Sequence, residues 1–141
     1  MKRFVVIVFL ISLVWSCSED GENEDNFSFE ILPVATVDVP DTLIQDDVNR
    51  IQFTYNIPSN CHSFSDLYYI ENGNERTIAV VNLVTETFGG GSQCEPLTGV
   101  LDERGFDFFT TPGFDSYIFN FWRGEDVNGE DVYYTVEIPV E

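Results

Sequence analysis

Several groups of residues have types and spacing that chemistry could use. Cys61 is followed directly by His62, a thiol beside the single imidazole of the chain. A nucleophile and its base would need such a pair, but adjacent residues on a strand project to opposite faces, so the two side chains do not meet. Two cysteines and one histidine also lack the paired short spacings of a structural zinc site. Glu125, Asp126, Asn128, Glu130 and Asp131 crowd oxygen donors into one short stretch, and Ca²⁺ takes about six to eight oxygens. The stretch lacks the regular alternation and closing glutamate of an EF-hand loop, so it reads as a solvated hairpin, with calcium a weak candidate. Gly89-Gly90-Gly91-Ser92 would need a lysine and a following helix to cradle a phosphate, and has neither.

Charge narrows the classes further. Six Lys and Arg against 25 Asp and Glu give −19, and the chain beyond Lys2 and Arg3 is more negative still. So many acids always supply carboxylate pairs, yet nothing in the sequence singles out one with a burial-raised pKa. The expectation is a protein that is not an enzyme and uses no cofactor. Nucleic acid is excluded as a partner, because a phosphate backbone needs a basic footprint and only Arg50, Arg76, Arg104 and Arg123 remain past the N-terminus. An apolar fraction of 43%, with 15% aromatic, is too rich for a disordered chain and predicts a buried core.

The elements that must position any site are strands. From Phe27 onward no helical period of useful length occurs, while period-two alternation recurs between turn signals. Residues 27–39 are broken by Pro33, which suits an edge strand that switches or bulges. Ile51, Phe53, Tyr55 and Ile57 alternate with polar residues. Residues 67–70 and 76–84 flank Asn72-Gly73, a tight-turn signal, and read as a hairpin. Residues 85–96 read as a loop. Residues 105–110 form a short strand. Tyr117, Phe119 and Phe121 share one face of 116–122, with Ile118, Asn120 and Trp122 on the other. In 132–140, Val132, Tyr134, Val136 and Ile138 point inward. The expectation is all-β: about seven strands in a two-sheet Greek-key sandwich.

Asp115-x-Tyr117-x-Phe119-x-Phe121 resembles the corner and penultimate strand of immunoglobulin-like and fibronectin-like domains. There a tyrosine hydroxyl ties the corner to the backbone. The resemblance implies that the strands carrying 67–70, 116–122 and 132–140 are neighbours in one sheet. Ile118, Trp122, Tyr133 and one of Tyr68 or Tyr69 would then form an exposed aromatic strip, a candidate surface for a glycan or a protein partner. The competing expectation is that the 85–96 loop covers this face, or that Trp122 packs under the hairpin.

Lys2 and Arg3 precede an eleven-residue apolar run at 4–14, interrupted only by Ser12. At about 1.5 Å per helical residue this is far short of a roughly 30 Å hydrocarbon core, so it reads as a signal peptide over 1–16 and not as a membrane span. Val14-Trp15-Ser16-Cys17 resembles the lipobox of bacterial lipoproteins, with Trp15 a departure from the usual small residue. The resemblance implies a lipidated Cys17 and a membrane anchor. Residues 17–26, with five acids and no aliphatic side chain, form a solvated tether. The acidic cluster after Cys17 also resembles the surface-export signal of Bacteroidota lipoproteins, leaving outward display and periplasmic retention both open.

With Cys17 assigned to lipid, Cys61 and Cys94 are an even pair in an exported chain, and a disulfide between them is expected. An oxidised sulfur is no nucleophile, which removes Cys61 as a catalyst a second time. Asp41-Thr42-Leu43 resembles the short pattern at which Bacteroidota O-glycosylate exported proteins, marking Thr42. The whole chain resembles small Bacteroidota cell-envelope lipoproteins carrying one immunoglobulin-like domain, here over 27–141. The function expected is a lipid-anchored, non-catalytic recognition module at the outer membrane. The alternative is a structural or accessory subunit of a periplasmic envelope assembly.

Overall fold

The computed structural model describes residues 26–141. The expected signal peptide 1–16, the expected lipidation site Cys17 and the expected tether through residue 25 lie outside the described residues. Among the described residues eight strands occur where about seven are expected. The additional one arises at Pro33, which ends β1 (Phe27–Leu32) and releases the chain into β2 (Val34–Asp38). The two pieces belong to different sheets, β1 beside β5 and β2 beside β3. A residue with no N–H and a fixed φ stands where the chain changes partner.

β3 (Asn49–Asn56) shows the clearest alternation, burying Asn49, Ile51, Phe53 and Tyr55 between more exposed residues. It is the centre of a three-stranded sheet, antiparallel to β2 on one side and to β6 (Leu101–Phe108) on the other. The second sheet contains β1, β4 (His62–Asn72), β5 (Glu75–Thr85), β7 (Ser116–Glu125) and β8 (Asp131–Pro139). β4 and β5 form the expected hairpin, with Gly73 at φ 60° as the first of two turn residues, so the turn is Gly73-Asn74.

β5 organises this sheet. β4 pairs along one side of it, while β7 and β1 share the other, β7 parallel over 75–78 and β1 antiparallel over 80–85. This corrects the expected neighbourhood: β7 lies beside β5, not beside β4, and the pair is parallel. β8 completes the sheet, antiparallel to β7.

The sheets pack face to face on Leu32, Ile78, Val80, Tyr117, Phe119, Phe121 and Ile138 from one and Val34, Ile51, Phe53, Tyr55 and Phe108 from the other. Phe108 meets Tyr117 and Phe119 edge to face, at centroid distances of 4.8 and 5.0 Å. The fold is an all-β sandwich. The Tyr117 hydroxyl accepts from Thr111 N–H at 2.6 Å and donates to Thr111 O at 3.1 Å, the tie expected at this corner. Cys61 and Cys94 form the expected disulfide, with Cα atoms 5.5 Å apart. It fastens the end of the 85–96 loop to the turn leading into β4.

Two inward assignments on β8 are corrected. Val136 and Ile138 reach the core, but Val132 and Tyr134 are exposed. They precede the part of β8 that the opposite sheet covers, so correct parity does not bring burial.

Candidate functional site

Along β5 the residues facing away from the core include Thr77 and Ala79, both small, and they form the floor of a cleft of about 380 Å³ on the outer face of the five-stranded sheet. Taller side chains from the neighbouring strands wall it: Ile31 of β1, Tyr68 of β4, Trp122 of β7 and Tyr133 of β8, with Glu125 and Asp131 at the hairpin end. Ala79 is only 3% exposed, whereas Ile31, Tyr68 and Tyr133 are 49%, 45% and 41% exposed, so the floor is covered and the walls are accessible. The size is at the lower end for ligand pockets, enough for one side chain or one sugar ring.

The aromatic walls are held by the hairpin between β7 and β8. Trp122 and Tyr133 are directly opposite each other in register. The Trp122 Nε1–H donates to Asp131 Oδ1 at 2.7 Å, and the Tyr133 hydroxyl donates to Asp131 Oδ2 at 3.4 Å. One carboxylate therefore fixes the polar edges of both rings. Burial, and then the Asp131 charge, push the Tyr133 phenol above its ordinary pKa.

Of the five candidates for this face, the structure brings Tyr68, Trp122 and Tyr133 together. Tyr69 is not among them. It points inward against Phe106, edge to face at 5.8 Å, and burial raises its phenol pKa. Ile118 lies on the outer face between Glu75 and Glu137 but does not line the cleft. No residue of the 85–96 loop lines it either, so the expected cover is not over the cleft. Trp122 bonds to Asp131 at the base of the hairpin, and its ring walls the cleft.

Ile31, Thr77, Ala79, Glu125 and Asp131 were not assigned to this face from the sequence. The signal for the floor was present in β5, where Thr77 and Ala79 alternate with buried Ile78 and Val80. Two small outward residues in a row of larger ones mark a depression.

In the stretch weighed for calcium, Asp126 and Asp131 already accept hydrogen bonds. Asp126 Oδ1 accepts the Asn128 and Glu130 backbone N–H groups at 2.8 and 3.0 Å, and its Oδ2 takes the Asn128 amide at 3.2 Å. These bonds hold the Asp126 carboxyl below its usual pKa. Asp131 is engaged by Trp122 and Tyr133, and Glu125 faces the cleft. Among the described residues no group of three or more His, Cys, Asp or Glu side chains is gathered to hold a metal. Thr42 is half-buried at a bend just before Leu43, which bridges to Val140.

His62 has partners that the sequence did not indicate. Its Nδ1 lies 2.7 Å from Ser59 Oγ and its Nε2 lies 2.8 Å from Glu30 Oε2. Ser59 Oγ also accepts Cys61 N–H at 3.2 Å, which makes it the cap of the 59–62 turn. Both ring nitrogens are occupied, and the three residues fasten β1 to the start of β4.

No protein-family model matches the chain, and no curated protein or solved structure matches it.

Proposed function

We propose that this chain is a lipid-anchored protein of the cell envelope that recognises a protein partner through the outer face of its five-stranded sheet, without catalysis. The observation that supports this reading is the convergence of Tyr68, Trp122 and Tyr133, from three strands, on the small floor of Thr77 and Ala79. From the Ile31 and Tyr68 walls the apolar strip continues past the cleft to exposed Phe29 and Ile70. A contiguous apolar surface on a monomer commonly marks an interaction site. The strip is wider than one sugar ring, which favours a protein over a glycan. The lipobox-like segment ending at Cys17 supports the anchor, and the acidic tether supports outward display at the outer membrane.

A photo-crosslinking residue at Tyr68, compared with one at Thr54 on the opposite sheet, tests recognition in living cells. The reading expects a discrete protein adduct from position 68 and none from position 54. Equal labelling from both, or none from either, contradicts it. Protease treatment of intact cells, with a periplasmic protein as the lysis control, tests display. Cleavage in the tether releases the domain if it faces outward. Protection until the outer membrane is opened favours a periplasmic accessory subunit instead.

A further inference from the structure

The lining of the cleft is one-sided in charge. Its ionisable side chains other than tyrosine are Glu125 and Asp131, and no Lys, Arg or His contributes to it. The four arginines of the described residues are engaged elsewhere. Arg50 pairs with Asp107 and Arg104 with Asp102, each at 2.8 Å. Buried Arg76 donates to Gly73 O and Glu75 O, and Arg123 donates to Ala35 O. Glu125 is exposed and forms no ion pair among the described residues.

The aromatic groups carry the same preference. An indole or phenol ring is electropositive at its polar edge and electronegative on its face. Asp131 takes the N–H edge of Trp122 and the hydroxyl of Tyr133, which leaves the faces for a ligand. Ring faces, free carboxylate and a chain charge of −19 all favour a cation. A planar guanidinium suits the site better than a compact ammonium, because it stacks on aromatic faces, pairs with a carboxylate through two N–H groups and is weakly hydrated.

We propose that the cleft receives an arginine side chain of the protein partner, its guanidinium stacked on Trp122 and Tyr133 and paired with Glu125. This rests on the recognition reading above and specifies the group recognised.

The test uses the full chain in non-ionic detergent, with the indole N–H resonance of Trp122, assigned by its loss in Trp122→Phe, as the readout. The probes are N-acetyl-arginine methylamide, its neutral isostere N-acetyl-citrulline methylamide, and N-acetylglucosamine. The arginine probe is expected to bind at least about tenfold more tightly than the citrulline probe. Glu125→Gln should weaken arginine several-fold and leave citrulline unchanged, and added salt should act like Glu125→Gln. Equal affinity for arginine and citrulline, or no effect of Glu125→Gln, overturns the proposal while leaving the recognition reading in place. Binding of the sugar alone overturns both. No binding of any probe overturns the arginine proposal, and recognition then stands or falls on the position 68 crosslink.

Discussion

Removing the Cys61 to Cys94 disulfide tests how far this sandwich depends on its covalent tie. The bond joins residues 33 apart in sequence. The loop-closure entropy that it removes from the unfolded chain corresponds to about 3.7 kcal/mol at 25 °C. For a domain of this size, 1 kcal/mol shifts the melting temperature by about 4 °C, so the predicted drop is about 15 °C. The perturbation is the double variant Cys61→Ala/Cys94→Ala, with reduced wild type as the second arm. Alanine suits the 61 position because that cysteine is buried. The assay is thermal unfolding followed by far-ultraviolet circular dichroism, with oxidised wild type alongside. Both arms should melt cooperatively at similar temperatures, well below the oxidised protein. A drop under about 4 °C in both arms would refute the entropic reasoning, because the loop would then already be restricted in the unfolded ensemble.

Further predictions follow from the interior. Asn82 is fully buried and its amide makes no well-formed hydrogen bond among the described residues, with only the Tyr55 hydroxyl in weak reach; Asn82→Leu should therefore raise stability by about 1 kcal/mol in urea unfolding, and a loss of stability would show that the amide is satisfied. Burial and the hydrogen bond to Asp102 push the Tyr55 phenol up to about 12. A raised folded pKa means stability that is complete below the unfolded value near 10 and lost as pH rises towards 12, roughly 2–3 kcal/mol in all. The stability gap between wild type and Tyr55→Phe should thus close over that window, and a gap independent of pH would count against it. A Cβ at Gly105 would lie 2.6 Å from the Ile51 carbonyl oxygen. Gly105→Ala should cost about 1–3 kcal/mol by chemical denaturation, and a neutral result would mean that β3 and β6 separate without penalty.

Much of the architecture was legible in residues whose local chemistry leaves little choice. Pro33 marked the sheet switch, Gly73 the hairpin and Tyr117 the corner. Strand ends failed where polar residues occupy inward positions. The first half of β6 was not assigned to a strand because its inward side chains are Asp102, bonded to Tyr55, and Arg104, stacked 4.9 Å from the Phe64 ring centroid. The first half of β4 was missed because a register shift between Phe64 and Asp66 breaks the alternation. Parity placed Trp122 and Tyr133 on the outer face, but sequence alone left Tyr68 and Tyr69 as alternatives. The order of strands was not legible, because which neighbour β7 takes is decided by long-range pairing with β5. Even so, the cleft forms, since the Thr77 and Ala79 floor that β5 inserts is low enough for Tyr68 to face Trp122 across it.

The most direct measurement of the central claim is the position 68 crosslink in cells carrying Trp122→Ala/Tyr133→Ala, read beside the thermal melt of the same variant. The account predicts loss of the adduct with cooperative unfolding retained, because these rings wall a cleft and do not form the core. An adduct that persists would contradict the cleft as the recognition surface, and loss of cooperative unfolding would instead make both rings part of the core.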